Sequence, residues 1–123
     1  MDKVAPFQNE KYLNLETFKR DGQGVKTPVW FVLRENGALY AYTEATSWKV
    51  KRIRRNPRVR IAPCDVRGNL KGEWREATAQ IVSGEEEQAA SRLLDQKYFL
   101  KKIFNLLTKL RRHERAMIKI ELN

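Results

Sequence analysis

The sequence predicts mainly β structure with short helices, an antiparallel sheet closed into a small barrel. Three observations carry that expectation. Short runs of alternating or β-branched residues recur between turn residues along the chain. An Asn36-Gly37 pair, the strongest short hairpin signal, joins two of these runs. Alternating βα units are missing, and Gly22-Gln23-Gly24 lacks a third glycine and leads into a strand, so no dinucleotide fingerprint is present.

The elements follow in order. Tyr12 to Lys19 alternates, with Leu13, Leu15 and Thr17 on one face and Asn14, Glu16 and Phe18 on the other. Asp21-Gly22-Gln23-Gly24 is turn chemistry, because glycine supplies positive φ. Lys26 to Leu33 is β-branched and aromatic and reads as a strand buried on both sides. Beyond the Asn-Gly turn, Ala38 to Thr43 sets Leu39 and Ala41 against Tyr40 and Tyr42. A short helix spans about 47–55, capped by Thr46 or Ser47, with Val50 and Ile53 facing inward and Pro57 ending it. Strands follow at Arg58 to Cys64 and Trp74 to Val82, separated by the Arg67 to Gly72 loop. Ser83-Gly84-Glu85-Glu86 reads as a capping box that opens a helix to about Leu94, with Glu86 reaching back to the Ser83 amide. A further helix is expected over about 100–112, with Ile103, Leu106, Leu107 and Leu110 at helical spacing. Ala116 to Leu122 closes the chain as the sixth strand.

A chain of 123 residues fits one domain spanning 1–123. At 41% hydrophobic residues it can build a core without disulfides. The single Cys64 sits in an apolar run and reads as a small buried hydrophobe, a usage that fits a reducing cytoplasm. Neither a membrane-spanning run nor a signal-peptide core is seen, so a cytoplasmic protein is expected. One histidine, His113, and one cysteine argue against a protein-built zinc site, and His113 reads as a surface residue.

The formal net charge of +10 favours anionic partners. Seven of the positive residues fall between Lys49 and Arg60 with no acid among them. Where the third strand hands over to the short helix, the hydroxyls of Thr43, Thr46 and Ser47 meet unpaired first-turn amides, with Lys49 within one turn. That combination suits a phosphate dianion. Pro28 has no N–H and is rare inside a paired strand, so a bulge or an edge is expected there. The backbone around Thr27 and Val29 would then be free to bond a ligand ring. Trp30 and Phe31 are strand neighbours and must point to opposite faces, so one is core and the other faces a ligand or a partner. Trp48 and Trp74 can each stack on a ring or simply pack.

Tyr42-Thr43, then Ser47-x-Lys49, then Asn56-Pro57-Arg58-Val59, at this spacing after a glycine-containing hairpin, resembles the pyridoxamine 5′-phosphate oxidase-like split-barrel family. The resemblance covers roughly residues 13–82. It implies a six-stranded split β-barrel, a homodimer with FMN or the deazaflavin coenzyme F-420 at its interface, and hydride chemistry belonging to that cofactor. It also implies that Thr43, Ser47 and Lys49 bind the cofactor phosphate. Thr27, Pro28, Val29 and Trp30 lie on the strand beside the ring. Tyr42, Trp48 and Lys51 complete the candidate cofactor-binding set. Trp48 stands where the oxidases usually carry a second phosphate-binding arginine, a role Lys51 or Arg52 could take over. The sequence also stops at Asn123, before the segment the oxidases use on pyridoxamine phosphate. A flavin- or deazaflavin-dependent reductase is therefore expected in preference to a vitamin B6 oxidase, with FMN ahead of F-420. From another class, the basic cluster could bind nucleic acid, with Tyr40, Tyr42 or Trp48 as stacking platforms.

Overall fold

The computed structural model describes residues 3–98 and 115–123. The helix expected over about 100–112, and His113, lie outside them. Six strands form one closed antiparallel barrel: β1 (Tyr12–Phe18), β2 (Gly24–Leu33), β3 (Leu39–Glu44), β4 (Arg58–Cys64), β5 (Arg75–Val82) and β6 (Arg115–Leu122). Around the barrel they run β1-β2-β3-β6-β5-β4, and β4 pairs back onto β1. Helix α1 (Trp48–Arg55) links β3 to β4, and α2 (Gly84–Lys97) follows β5. No helix among the described residues is long and apolar enough to cross a membrane.

Strand alternation divides the apolar residues between two cores. Leu13, Leu15, Val29, Phe31, Leu39, Ala41, Ile61 and Ile118 fill the barrel interior, and Ile53 of α1 joins them. Outside the barrel, Val32, Tyr40, Tyr42 and Met117 pack under Ala90 and Leu94 of α2. Phe7, on a single 3₁₀ turn at Ala5–Phe7, enters the interior and meets Phe31 edge-on at 6.2 Å. Cys64 is buried, and burial pushes its thiol up to about 11.

Two expectations need correction. Ser83 caps α2 without a side-chain hydrogen bond. Glu86 turns instead to the Tyr40 hydroxyl, 2.5 Å, and the Lys119 ammonium, 2.9 Å. A charged partner outcompetes a neutral amide for a carboxylate. Strand β2 is buried on both sides only toward its end. Lys26 is exposed, and Thr27, Pro28 and Trp30 are half-buried, because β3 pairs with β2 only from Phe31 to Leu33.

Tyr98, just past α2, seals the place where β1 runs out. Its hydroxyl accepts the Phe31 N–H at 3.1 Å. It also lies 2.6 and 2.7 Å from the carbonyls of Lys11 and Phe31, one of which takes its proton. Beside it the Lys97 ammonium donates to the Phe31 carbonyl at 2.9 Å and sits 3.9 Å from the Phe31 ring centroid. Burial of that ammonium lowers its pKa to about 8, while burial raises that of the Tyr98 phenol. From about pH 8 towards 10.5 the unfolded chain keeps a proton that folded Lys97 has lost, so stability rises with pH. Above about pH 10 the Tyr98 shift has the opposite sign. Thermal melts should therefore climb from pH 8 to near 10 and then turn down, and Lys97→Met should flatten the climb. The Lys97 residue is exposed overall, so the slope should stay below about 1.4 kcal/mol per pH unit. A melting temperature that falls steadily from pH 8 upward would contradict this.

A cavity where two strands part

The candidate site is a gap in the barrel wall. The β2–β3 register pairs Phe31 with Ala41, Val32 with Tyr40 and Leu33 with Leu39. Continued, it would pair Trp30 with Tyr42, Val29 with Thr43 and Pro28 with Glu44. Those three pairs do not form, and all six residues line a cavity of about 630 Å³. Each wall is held from its far side. There β1 pairs with β2 down to Gly24, and β6 pairs with β3 down to Glu44.

Backbone direction on the β2 wall follows from alternation. Arg34 N–H reaches across the hairpin to Ala38, while the amide and carbonyl of Phe31 face the β1 side, where Tyr98 meets them. Backbone groups of even-numbered β2 residues thus point to β3 and those of odd-numbered ones to β1. Pro28 has its missing N–H on the open edge, which explains why a proline is tolerated in this strand. There is no bulge, since Asn14 pairs with Pro28 in an unbroken register. The expectation for the backbone at Thr27 and Val29 is corrected, because those groups face β1 as partners of Leu15 and Leu13. The Pro28 carbonyl and the Trp30 N–H face the gap. The Trp30 ring stacks on Tyr98 at 4.3 Å and 6°, while Phe31 is wholly buried.

Across the gap, the Ser47 N–H donates to the Glu44 carbonyl at 3.0 Å, turning the chain into α1. The Ser47 hydroxyl lies 3.4 Å from the Val50 amide it caps and 3.4 Å from the Thr43 hydroxyl. Lys49 and Arg52 line the cavity from α1. Burial lowers the pKa of Lys49, and repulsion from Arg52 lowers it further, against an opposing pull from Glu44. An anion between the two cations would relieve that repulsion.

Of the sequence candidates, Thr27, Pro28, Val29, Trp30, Tyr42, Thr43, Ser47, Trp48 and Lys49 line this one cavity, and Lys51 does not. The Lys51 ammonium lies 4.5 Å over the Trp48 ring, and Arg52 takes the inward place. Trp48 itself is 67% exposed. Trp74 is away from the cavity, under Lys26 and Arg60. Sequence reading missed Tyr12, Glu44 and Val66, which also line it. Tyr12 reaches the cavity as the cross-strand partner of Trp30, a register that no local pattern gives. Val66 carried no signal. Its loop is set by Asp65, whose carboxylate accepts the Arg67 and Asn69 amides, and by Asn14 donating to the Gly68 carbonyl.

Much of the basic cluster is committed internally. Arg58 makes a two-pronged pair with Glu76, Arg60 pairs with Glu16 at 3.1 Å, and Arg55 donates to the Phe18 carbonyl at 2.8 Å. Among the described residues no cluster of three His, Cys, Asp or Glu side chains could hold a metal ion.

The barrel recurs in known proteins. A structure described as a proposed pyridoxamine 5′-phosphate oxidase of Listeria innocua superimposes with a TM-score of 0.70. It is 16% identical, with 98% of this chain and 90% of that one covered. The haem storage protein HutZ of Vibrio cholerae gives 0.67 at 18% identity, covering 94% and 84%. An F-420 reductase gives 0.65 at 18% identity, covering 98% and 92%. At these identities the likeness speaks for the fold. No curated protein matches the chain. A family model described as pyridoxamine 5′-phosphate oxidase does, over residues 1–123. With that match agreeing with the closed six-stranded barrel, the chain belongs to the pyridoxamine 5′-phosphate oxidase family.

Proposed function

We propose that this chain binds a phosphate-bearing tricyclic redox cofactor, FMN or the deazaflavin coenzyme F-420, in the gap between β2 and β3. It would work there as an oxidoreductase on a small molecule, as a cytoplasmic homodimer with the cofactor at the interface. The observation that carries the reading is the cavity itself. It joins an unpaired strand edge to a cationic, hydroxyl-rich helix start. A planar heterocycle with donors and acceptors on its rim suits the Pro28 carbonyl and Trp30 N–H, and a phosphate suits Lys49, Arg52, Ser47 and Thr43. When bound, the cofactor supplies hydride chemistry, and the chain supplies binding, orientation and exclusion of water. The β2 edge at Pro28 and Trp30 would lie along the ring, and Lys49 would hold the phosphate. Exposed Trp48 and Val66 leave an apolar rim for a second subunit to cover.

One relative in fold is an F-420 reductase. The deazaflavin reading keeps its place because the two rings are alike in shape and rim chemistry and an F-420 reductase shares the fold. Nucleic-acid binding through residues 49–60 is weakened by the pairing of Arg58 and Arg60 with Glu76 and Glu16. A visible spectrum of the purified protein, with mass analysis of what heat releases, tests the proposal. A flavin or a deazaflavin is expected. A colourless protein that also takes up neither FMN nor F-420 when each is added in excess would end it.

A further inference from the structure

Resting on that reading, we infer that a second cavity beside the first binds the small-molecule reactant. Its ligand is an uncharged planar heteroaromatic with a hydrogen-bond donor and an acceptor side by side on one edge, as in a lactam. This cavity, of about 510 Å³, has Glu10, Lys11, Asp65 and Lys71 in its wall. Tyr12 and Val66 line both cavities, so the two adjoin. A reactant cannot reach the cofactor ring from inside the barrel, where Leu13, Leu15, Val29 and Phe31 fill the core. Strand alternation turns Tyr12 and Trp30 the other way, to the outside. Their rings meet at 6.4 Å, tilted by 55°, and Trp30 is held by its stack on Tyr98. A flat molecule entering past Val66 therefore meets an aromatic wall.

The polar wall sets the edge it must carry. Lys71 Nζ lies 2.8 Å from Glu10 Oε1, so a donor stands beside an acceptor. The ammonium has protons to spare and the carboxylate a second oxygen. A lactam C=O and N–H would engage both without separating the pair. A carboxylate or an ammonium would draw one member away and strip the other of its counter-charge, and the Glu10 side chain is only 22% exposed. The remaining charges there are engaged or wet. The Asp65 carboxylate accepts the amides of Arg67 and Asn69. Glu10 also acts on Lys97, but that ammonium is taken by the Phe31 carbonyl at 2.9 Å. Lys11 is exposed, and water screens its charge.

Two probes built on one ring system test this: 2-quinolinone, which has the lactam edge, and quinoline-2-carboxylate, which has a charge there. FMN or F-420 is bound to the full chain first and its uptake measured. Binding of each probe to the loaded protein is then followed by calorimetry and by the visible band of the bound cofactor. The lactam should bind about tenfold or more tightly than the carboxylate. It should also shift the band, because the cavities share two walls. Lys71→Met should weaken the lactam about fivefold or more, for one charge-assisted hydrogen bond lost at a partly exposed site. A carboxylate that binds as tightly as the lactam would overturn the inference. So would lactam binding that leaves the band unmoved or is indifferent to Lys71→Met. The wild-type comparison stands even if the variant folds poorly. If cofactor binds and neither probe does, this inference alone falls. If no cofactor is taken up, the flavin reading falls and takes this inference with it.

Discussion

Lys49→Met should weaken FMN or F-420 binding by about 1.5–3 kcal/mol, roughly 10- to 150-fold in Kd, while making the ligand-free protein harder to unfold. The two effects share one cause. The Lys49 ammonium is partly stripped of water and faces Arg52, so its folded pKa lies below the ordinary lysine value. Below that folded pKa the protonated side chain carries its full penalty in the folded state. The penalty fades as pH rises through the window up to the ordinary value, so the contribution of Lys49 to stability improves with pH. Methionine keeps the stem and removes the charge, and with it the penalty. A bound phosphate would repay that penalty in the wild-type protein, which is why the same change should hurt binding. Calorimetry for Kd and urea unfolding for stability check the two halves. An unchanged Kd would remove Lys49 from the site, and a less stable apoprotein would show that its ammonium has a partner in the fold.

The largest loss of stability is expected at Tyr98. Tyr98→Ala should cost about 3–5 kcal/mol, the range for deleting a buried aromatic ring. The ring is 4% exposed and stacked on Trp30, and its hydroxyl is the partner of the buried Phe31 amide. Tyr98→Phe separates the two contributions. It keeps the stack and leaves the Phe31 N–H unsatisfied, at about 1–3 kcal/mol. The Phe31 carbonyl retains Lys97 in that variant. Urea midpoints of the two variants should therefore be ordered wild type, Phe, Ala. Because Trp30 lines the cavity, the alanine variant should also bind cofactor less well, whereas the phenylalanine variant should bind almost normally. Equal stability of Phe and wild type would mean that the hydroxyl contributes nothing to sealing the strand end.

Legibility followed how local the cause was. Strand β4 fell where its residues placed it, and Asn36-Gly37 made the turn its chemistry demands, with Gly37 at φ +82°. Ser47 capped α1, and Val50 and Ile53 faced inward, because capping and helical periodicity are properties of a few neighbouring residues. Pro28 announced an edge by the donor it lacks. Which backbone groups that edge would free was not legible, because it depends on a register fixed by the hairpin and by β1. Glu86 shows the same limit from another side. Its capping-box spacing was correct, but Lys119 arrives from β6, thirty-three positions later. Residues 48, 51 and 52 share one face of α1, so spacing could not decide which of Lys51 and Arg52 would turn inward. The exposed Trp48 ring, occupied by Lys51, decided it. Val66 reaches the cavity only through a loop pinned on Asn14, a contact between distant segments that no local pattern encodes.

Parting the second and third strands also leaves a liability. A bare strand edge invites zippering, either against its own neighbour or onto another molecule, the route by which sheets grow into aggregates. Pro28 and Lys26 stand on the stretch of β2 that β3 abandons. One withholds the proton that an incoming strand would need, and the other places a hydrated charge in its path. The residue that shapes the opening for a small molecule is therefore also its guard against self-association while nothing fills it.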